Sequence, residues 1–531
     1  MELKKKINYI KSIDYALVFV LVVSAVLRLV NLGYSDYQGD EIRAQYIPVQ
    51  GEGFLNFLLR QRKGPFQFIV SYLISFVDPQ YKNYFIDRLP YALAAIISVY
   101  FFYKFAKLMF NKRVALFVGL FLATNGFFVA LSRILQYQGF VFLFCALALY
   151  LFALLYKNPT KIRYLYWGMF VWGLSMLTHY DGLFIAPFLL YLLYLWWKES
   201  NNFSPKRKIL HILGSGILPA MLILVFYGAL VLSLSLETKQ YWTGRLTGTT
   251  SAKSAGTSYL FRVYQPYLAL QVYLGLSALS AILAFFTGFT WLKKYLKRNI
   301  NWKLADYFTV SQDYLSYIAL FLWFIFPLFF MEKLVAIPGT HIYTYLLPLA
   351  FIISVAIDWI YEKTLKIKLS NLVFNSLLII FFSFVFYQSY MIFVDNTKEY
   401  PWENENFLFW EFRTPDINKY HLSLFGFPYY RNWQAIADYV HKYPDVRAYT
   451  SNENNAISNY YLKLEKSTDK AGFYVYIRYP QTYKNQTNNE KYLYWSSRHD
   501  PVFTISRRGN SLVNVYLMPV GTHDQLVQRG Y

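Results

Sequence analysis

Residues 85–113 read FIDRLPYALAAIISVYFFYKFAKLMFNKR, and 114–133 continue VALFVGLFLATNGFFVALSR. Two apolar runs, 85–106 and 114–131, meet at a short turn holding Lys104, Lys112 and Arg113. A helix needs about 20 apolar residues to cross a hydrocarbon core, and both runs approach that length. Working outward, similar runs recur at 14–32, 134–156, 164–179, 182–197, 209–236, 266–291, 314–331, 341–361 and 371–394, which makes eleven spans. Those at 114–131, 164–179 and 182–197 are short.

Composition agrees with lipid as part of the solvent. Hydrophobic residues make up 56% of the 531, aromatic residues 21% and charged residues 15%, against about 25% charged in ordinary soluble domains. The net charge of +22 does not mark a nucleic-acid groove. From 395 onward, 16 Lys+Arg face 14 Asp+Glu, so the excess lies in the first 394 residues, in short loops between apolar runs. Six basic loops, around Lys4–Lys6, Lys104–Arg113, Lys157–Arg163, Lys198–Lys208, Lys293–Lys303 and Glu362–Lys368, fall at alternate turns. The positive-inside rule puts them in the cytoplasm. The N-terminus is then cytoplasmic, reading as an uncleaved signal anchor, and everything after 394 is outside. The single cysteine, Cys145, excludes an internal disulfide and a cysteine-based metal site.

The expected fold is a polytopic α-helical membrane protein of about eleven transmembrane helices with a small C-terminal α/β extracytoplasmic domain. The division is 1–394, including a first outer loop at 33–84, and 395–531. In that loop Phe66–Val77 is apolar but too short to span, and reads as a helix at the interface. The loop at 237–265 is rich in Gly, Ser and Thr. The tail mixes alternating aromatic strands such as 472–478 (GFYVYIR) with a helix near Trp433–Lys442.

Ionisable groups gather at the outer ends of the spans and in the first outer loop. Gly39-Asp40-Glu41 could supply a base towards an incoming hydroxyl, or Asp40 could cap a helix starting at Glu41. Arg60, Arg62 and Lys63-Gly64-Pro65 suit a lipid phosphate or ordinary headgroup anchoring. Asp87-Arg88-Leu89-Pro90 opens the second span, where Arg88 could act at the site or snorkel. Ser132-Arg133, Thr178-His179-Tyr180-Asp181-Gly182 and Pro338-Gly339-Thr340-His341-Ile342-Tyr343-Thr344-Tyr345 follow at outer ends. Arg133 and His341 also have plain anchoring readings. His179 and Asp181 could bind a metal, or cap and anchor a helix junction. The triplet Asn485-Gln486-Thr487 has the form of a glycosylation sequon.

In order and side, these six motifs resemble the C-type (GT-C) glycosyltransferases, more narrowly the bacterial protein O-mannosyltransferases and lipid A aminoarabinose transferases. The resemblance covers about residues 14–394. It implies a membrane glycosyltransferase that takes a sugar from a polyprenyl-phosphate donor to an acceptor hydroxyl on a protein, glycan or lipid, with inversion. It implies Asp40 as general base with Glu41 orienting it or the acceptor, and Lys63, Arg133, His341 and Tyr345 as contacts of the donor phosphate. Arg88, His179 and Asp181 would support the site. No metal ligands are assigned and no cofactor is implied, though a divalent metal stays open. The chain departs from the family at Gln136-Tyr137-Gln138, where relatives carry an acid or a tyrosine, and at His179 and Asp181, where a lysine or glycine pattern is commoner. A transporter or flippase would need charged or broken helices within the bilayer, which the spans nearly lack. A non-catalytic scaffold with a transferase-like shell is the third reading. The expected location is the plasma membrane, with no nucleic-acid partner.

Overall fold

The computed structural model describes residues 14–61, 64–228, 312–335, 339–364, 368–397, 404–407, 410–413, 425–481, 490–507, 509–519 and 521–528, with a few single positions between 232 and 247. The first outer segment follows helix α1 (Tyr15–Leu29) and carries three short helices, α2 (Gly39–Ile42), α3 (Phe54–Leu59) and α4 (Phe66–Ser75). Then come α5 (Tyr84–Met109), α6 (Lys112–Thr124), α7 (Gly126–Ser132), α8 (Gln138–Lys157) and α9 (Arg163–Thr178). A 3-10 turn at Tyr180–Ile185 leads into α10 (Ala186–Glu199), and α11 (Pro205–Ile223) follows. Beyond these lie α12 (Gln312–Phe329), a 3-10 turn at Gly339–Ile342, α13 (Tyr343–Thr364) and α14 (Lys368–Phe393).

Among the described residues seven helices are long and apolar enough to cross a membrane, or eight if α6 and α7 form one span. Ten of the eleven expected spans coincide with helices, and the one expected at 266–291 lies outside the described residues. The expected loop at 237–265 and the triplet at 485–487 also fall largely or wholly outside them.

One span differs from its expected form. The run at 114–131 is broken, α6 and α7 meeting at 59°. Asn125 causes the break: its extended backbone ends α6, and its side-chain oxygen accepts from the N–H groups of Phe127 and Phe128 to start α7. Phe66–Ser75 is helical and too short to span, as expected, and buries Gln67, Phe68, Ser71 and Ile74.

The helix bundle is held by interlocking aromatics, among them Phe102, Phe105, Phe188, Trp323 and Phe351. Lipid tails are as apolar as these side chains, so dispersion and shape fit, rather than water expulsion, favour their packing.

All described strands lie after 403. A hairpin pairs β1 (Asn404–Phe407) with β2 (Trp410–Arg413). A five-stranded sheet in the order β4-β3-β5-β7-β6 contains β3 (Ala448–Ser451), β4 (Glu465–Lys466), β5 (Phe473–Ile477), β6 (Phe503–Arg507) and β7 (Asn510–Leu517). Strand β3 runs parallel to β4 and β5, whereas β7 is antiparallel to β5 and β6. The aromatic run at 472–478 is the central strand, covered on both faces. Phe473, Val475 and Ile477 join one cluster and Tyr474 another. The first cluster also takes in Trp433 of α15 (Trp433–Val440), Tyr461 of α16 (Asn455–Leu462), and Tyr37, Tyr81, Tyr91 and Leu135 from the helical part. The sheet therefore shares its core with the first outer segment.

A second contact ties the tail to α7. Gly426 adopts φ +72° with its Cα against the backbone of Ala130, where an added Cβ would come within 2.6 Å. Both the left-handed backbone and the close approach require glycine. Gly426→Val is expected to lower the unfolding midpoint in detergent by several degrees, through about 1–3 kcal/mol of strain and clash. An unchanged midpoint would show that this contact is dispensable.

Candidate active site

Two polar clusters sit at the ends of helices next to the first outer segment. The first is built on Glu41 of α2. Its carboxylate takes a forked pair from Arg88, Nε to Oε1 at 2.7 Å and Nη2 to Oε2 at 2.9 Å. It also accepts the N–H groups of Gln38 and Leu135 at 3.1 and 2.8 Å. Both residues are almost fully buried. Arg88 spends its remaining donors on the carbonyls of Leu32, Ser35 and Asp36. It does not snorkel: its side chain is 3% exposed, and its hydrogen bonds run to Glu41 or to carbonyls of the segment 32–36. Glu41 is thereby fixed as the staple that holds α2, while Asp40, half-buried beside it, remains at the surface of the cluster.

Arg133 and Arg28 form a reciprocal pair of caps. Arg133 donates through Nη1 to Leu27 O and Val30 O at the end of α1, both at 2.9 Å. Arg28 donates to Leu122 O and Ala123 O at the end of α6, at 2.8 and 2.9 Å. Each guanidinium meets a helix C-terminus, whose dipole carries about half a negative charge. Neither has a carboxylate partner among the described residues. Burial first, and then the charges of Arg88 and Arg28, push Arg133 down to about 9. A narrow cleft lined by Arg133, Arg88, Glu41, Asp36, Gln38 and Gln481 opens here. Asp36 closes its outer side, accepting the N–H groups of Arg431 and Asn432 at 2.6 and 3.0 Å.

The second cluster converges on one carboxylate. Asp181 Oδ2 lies 2.8 Å from His341 Nδ1, 3.2 Å from His179 Nδ1, and accepts from the Tyr343 hydroxyl at 2.6 Å. All three acidic and imidazole groups are buried, and their ligand atoms lie within 4.8 Å of one another. Among the described residues they form a group with metal-ligating chemistry. Tyr137 stacks on His179 with centroids 4.1 Å apart and planes 9° apart. Its hydroxyl bonds Thr340, which precedes His341 in the 3-10 turn. The segment 133–137 joins the two clusters, with Arg133 at one end and Tyr137 at the other.

Asp40, Glu41, Arg88 and Arg133 are thus drawn around the first cluster, and His179, Asp181 and His341 around the second. Tyr345 joins neither, bonding Glu332 at 2.9 Å instead. Exposed Arg60 is paired with half-buried Glu52 at 2.7 Å. Arg62 and Lys63 lie outside the described residues, although Gly64 packs so tightly on Leu177 O and Thr178 O that a Cβ would clash at 2.0 Å. Sequence reasoning missed Arg28, Asp36, Tyr343 and Arg431. Arg28 offered a signal, a lone cation in the last turn of an apolar run. Asp36 and Arg431 had none, since their contact spans 395 positions.

Residues 81–228 match the family model of dolichyl-phosphate-mannose-protein mannosyltransferases. This stretch holds Arg88, Arg133, His179 and Asp181, and the match bears out the resemblance drawn from the motifs. No curated protein matches the chain in sequence. Among solved structures, ArnT from Cupriavidus metallidurans bound to undecaprenyl phosphate is similar at 12% identity and TM-score 0.48, over 96% of this chain and 98% of that one. The Archaeoglobus fulgidus oligosaccharyltransferase in complex with zinc and sulfate is similar at 12% identity and TM-score 0.48, over 87% of this chain and 68% of its own. At that distance, roles for individual residues rest on this chain's own geometry.

Two predictions follow from the first cluster. Removing one partner of a buried pair strands a charge, so Arg88→Met or Glu41→Gln alone is expected to cost about 3–5 kcal/mol. The double variant should cost less than the sum, by a double-mutant cycle on thermal unfolding; additivity would deny the coupling. Burial raises the Asp36 carboxyl to about 6, despite the backbone N–H groups it accepts. A folded value above the unfolded one means that this group's stabilisation is complete below its ordinary value and is lost as pH rises through about 6. Unfolding midpoints should therefore fall between about pH 4 and 6, and Asp36→Asn should flatten that part of the profile.

Proposed function

We propose that this chain is a membrane glycosyltransferase that moves a sugar from a polyprenyl-phosphate donor to an acceptor hydroxyl, with inversion at the anomeric carbon. The observation that carries the reading is Arg133: a buried guanidinium beside a cleft, next to Arg88 and Arg28, which among the described residues meets helix-end carbonyls and no carboxylate. Such a site holds surplus positive charge and suits a lipid phosphate. The match to mannosyltransferases over 81–228 supports the same class.

In this reading the acceptor oxygen attacks the anomeric carbon as the bond from that carbon to the phosphate oxygen breaks. The lipid phosphate leaves with the bonding electrons, and its growing charge is stabilised by fixed cations in a partly dry site. Arg133 supplies that charge, with Lys63 as a second contact. Asp40 takes the acceptor proton. Glu41, locked to Arg88, Gln38 and Leu135, holds α2 so that Asp40 stays in place. His341 lies with His179 and Asp181 and supports the site, whereas a donor contact for Tyr345 would require release from Glu332. The reaction takes place on the outer face of the plasma membrane, with the N-terminus in the cytoplasm and residues 395–531 outside, where they shape acceptor access. The sugar transferred is a hexose or a pentose.

The test is transfer from radiolabelled polyprenyl-phosphate sugars in membranes or nanodiscs. Wild type should transfer, and Asp40→Asn should lower turnover about 10²–10⁴-fold without loss of insertion. Arg133→Gln should raise the donor KM. Equal turnover in Asp40→Asn would remove Asp40 as base. Silence of the wild type across a panel of sugars and acceptors would overturn the transferase reading in favour of a scaffold.

A further inference from the structure

We propose that His179, Asp181 and His341 bind one divalent transition-metal ion of the zinc type. Three observations lead there. The Asp181 N–H donates to His179 Nδ1 at 3.2 Å, so that nitrogen presents a lone pair. The same nitrogen lies 3.2 Å from Asp181 Oδ2, so two acceptors face one another in a buried site. Such an approach is repulsive unless a proton or a cation lies between them, and either would take the Nδ1 lone pair in place of the Asp181 N–H. The other carboxylate oxygen, Oδ1, is buried and has no hydrogen-bond partner among the described residues, although Asp181 is only 2% exposed. An anion with one oxygen crowded by three groups and the other unpartnered is costly in a dry interior.

A cation between Nδ1 and Oδ2 removes the repulsion, and one held by both carboxylate oxygens would also give Oδ1 a partner. Ligands about 2.0–2.2 Å from a tetrahedral ion lie about 3.3–3.6 Å apart, so the 2.8 and 3.2 Å between Asp181 Oδ2 and the two imidazoles would open by several tenths of an ångström around it. Two imidazoles and one carboxylate favour zinc, cobalt or manganese over magnesium or calcium, which prefer all-oxygen shells. Tyr343, bonded to Oδ2, would orient the carboxylate from outside the ligand set. The stacking of Tyr137 on His179 holds that ring in place. The ion would pin the turn at Gly339–Ile342, which precedes α13, to the turn at Tyr180–Ile185 before α10, two points 160 residues apart in sequence. The proposal does not depend on the transfer reaction.

Metal content tests it without substrate. The full-length protein, carrying an affinity tag free of histidine, is purified in nanodiscs, incubated with zinc and stripped of loosely held ion before mass-spectrometric metal analysis. The wild type should retain one zinc per chain, and cobalt in its place should give visible d–d bands. His341→Ala, His179→Ala and the near-isosteric Asp181→Asn should each lose the ion and the bands. His211→Ala, at a histidine bonded to Tyr166 elsewhere, should keep both. Zinc should raise the unfolding midpoint of the wild type and leave that of Asp181→Asn unmoved. A monodisperse wild type that holds neither zinc nor cobalt overturns the site, as do variants that retain full stoichiometry.

Discussion

The segment between α1 and α5 and the helix ends around it are organised around one buried ion pair, Arg88 with Glu41. Seen from Arg88, the pair gathers three carbonyls of the segment 32–36. Seen from Glu41, it takes the N–H groups of Gln38 and of Leu135, 94 positions away. Burying two charges is unfavourable in itself, and only near-complete hydrogen bonding offsets it. The forked geometry and the five additional bonds meet that condition. What the pair contributes is position: α2 cannot rotate without breaking it, and α2 carries Asp40.

The other polar groups extend outward from this centre. Asp36, anchored by its backbone to Arg88, receives the tail through the N–H groups of Arg431 and Asn432. Leu135 hands the arrangement on to Tyr137, and Tyr137 to His179 and its neighbours. These polar groups lie at helix ends and in the segment between α1 and α5, a placement that keeps charges out of hydrocarbon.

Much of the bundle was legible because a membrane span is a local property. Length and apolarity of a run suffice, and ten of the expected spans are helices where described. The break at Asn125 was less legible, since an asparagine between apolar runs reads equally as a polar residue within a helix. For the site, the motifs named several residues that meet in the two clusters and missed what they bond to. Arg88 could have snorkelled; its burial depends on carbonyls presented by a loop 52–56 positions earlier. Arg133 looked like a free cation at a mouth, and is also a cap for α1. The convergence of His341 on Asp181 joins residues 160 apart, and no period or spacing in a single sequence encodes that distance.

The exchanged caps of Arg28 and Arg133 bear on how the chain is assembled. Arg28 finds its acceptors 94 and 95 residues downstream, and the end of α1 receives its donor from a residue 103 to 106 positions later. When α1 first leaves the translocation machinery, its terminal carbonyls and its own guanidinium face water or headgroups, unmatched. Only once α6 and α7 have been synthesised and delivered beside it can both be satisfied, and they are satisfied together. The end of α1 therefore gains its cap only after residue 133 has been added, so its final seat in the bundle depends on chain more than 100 positions downstream.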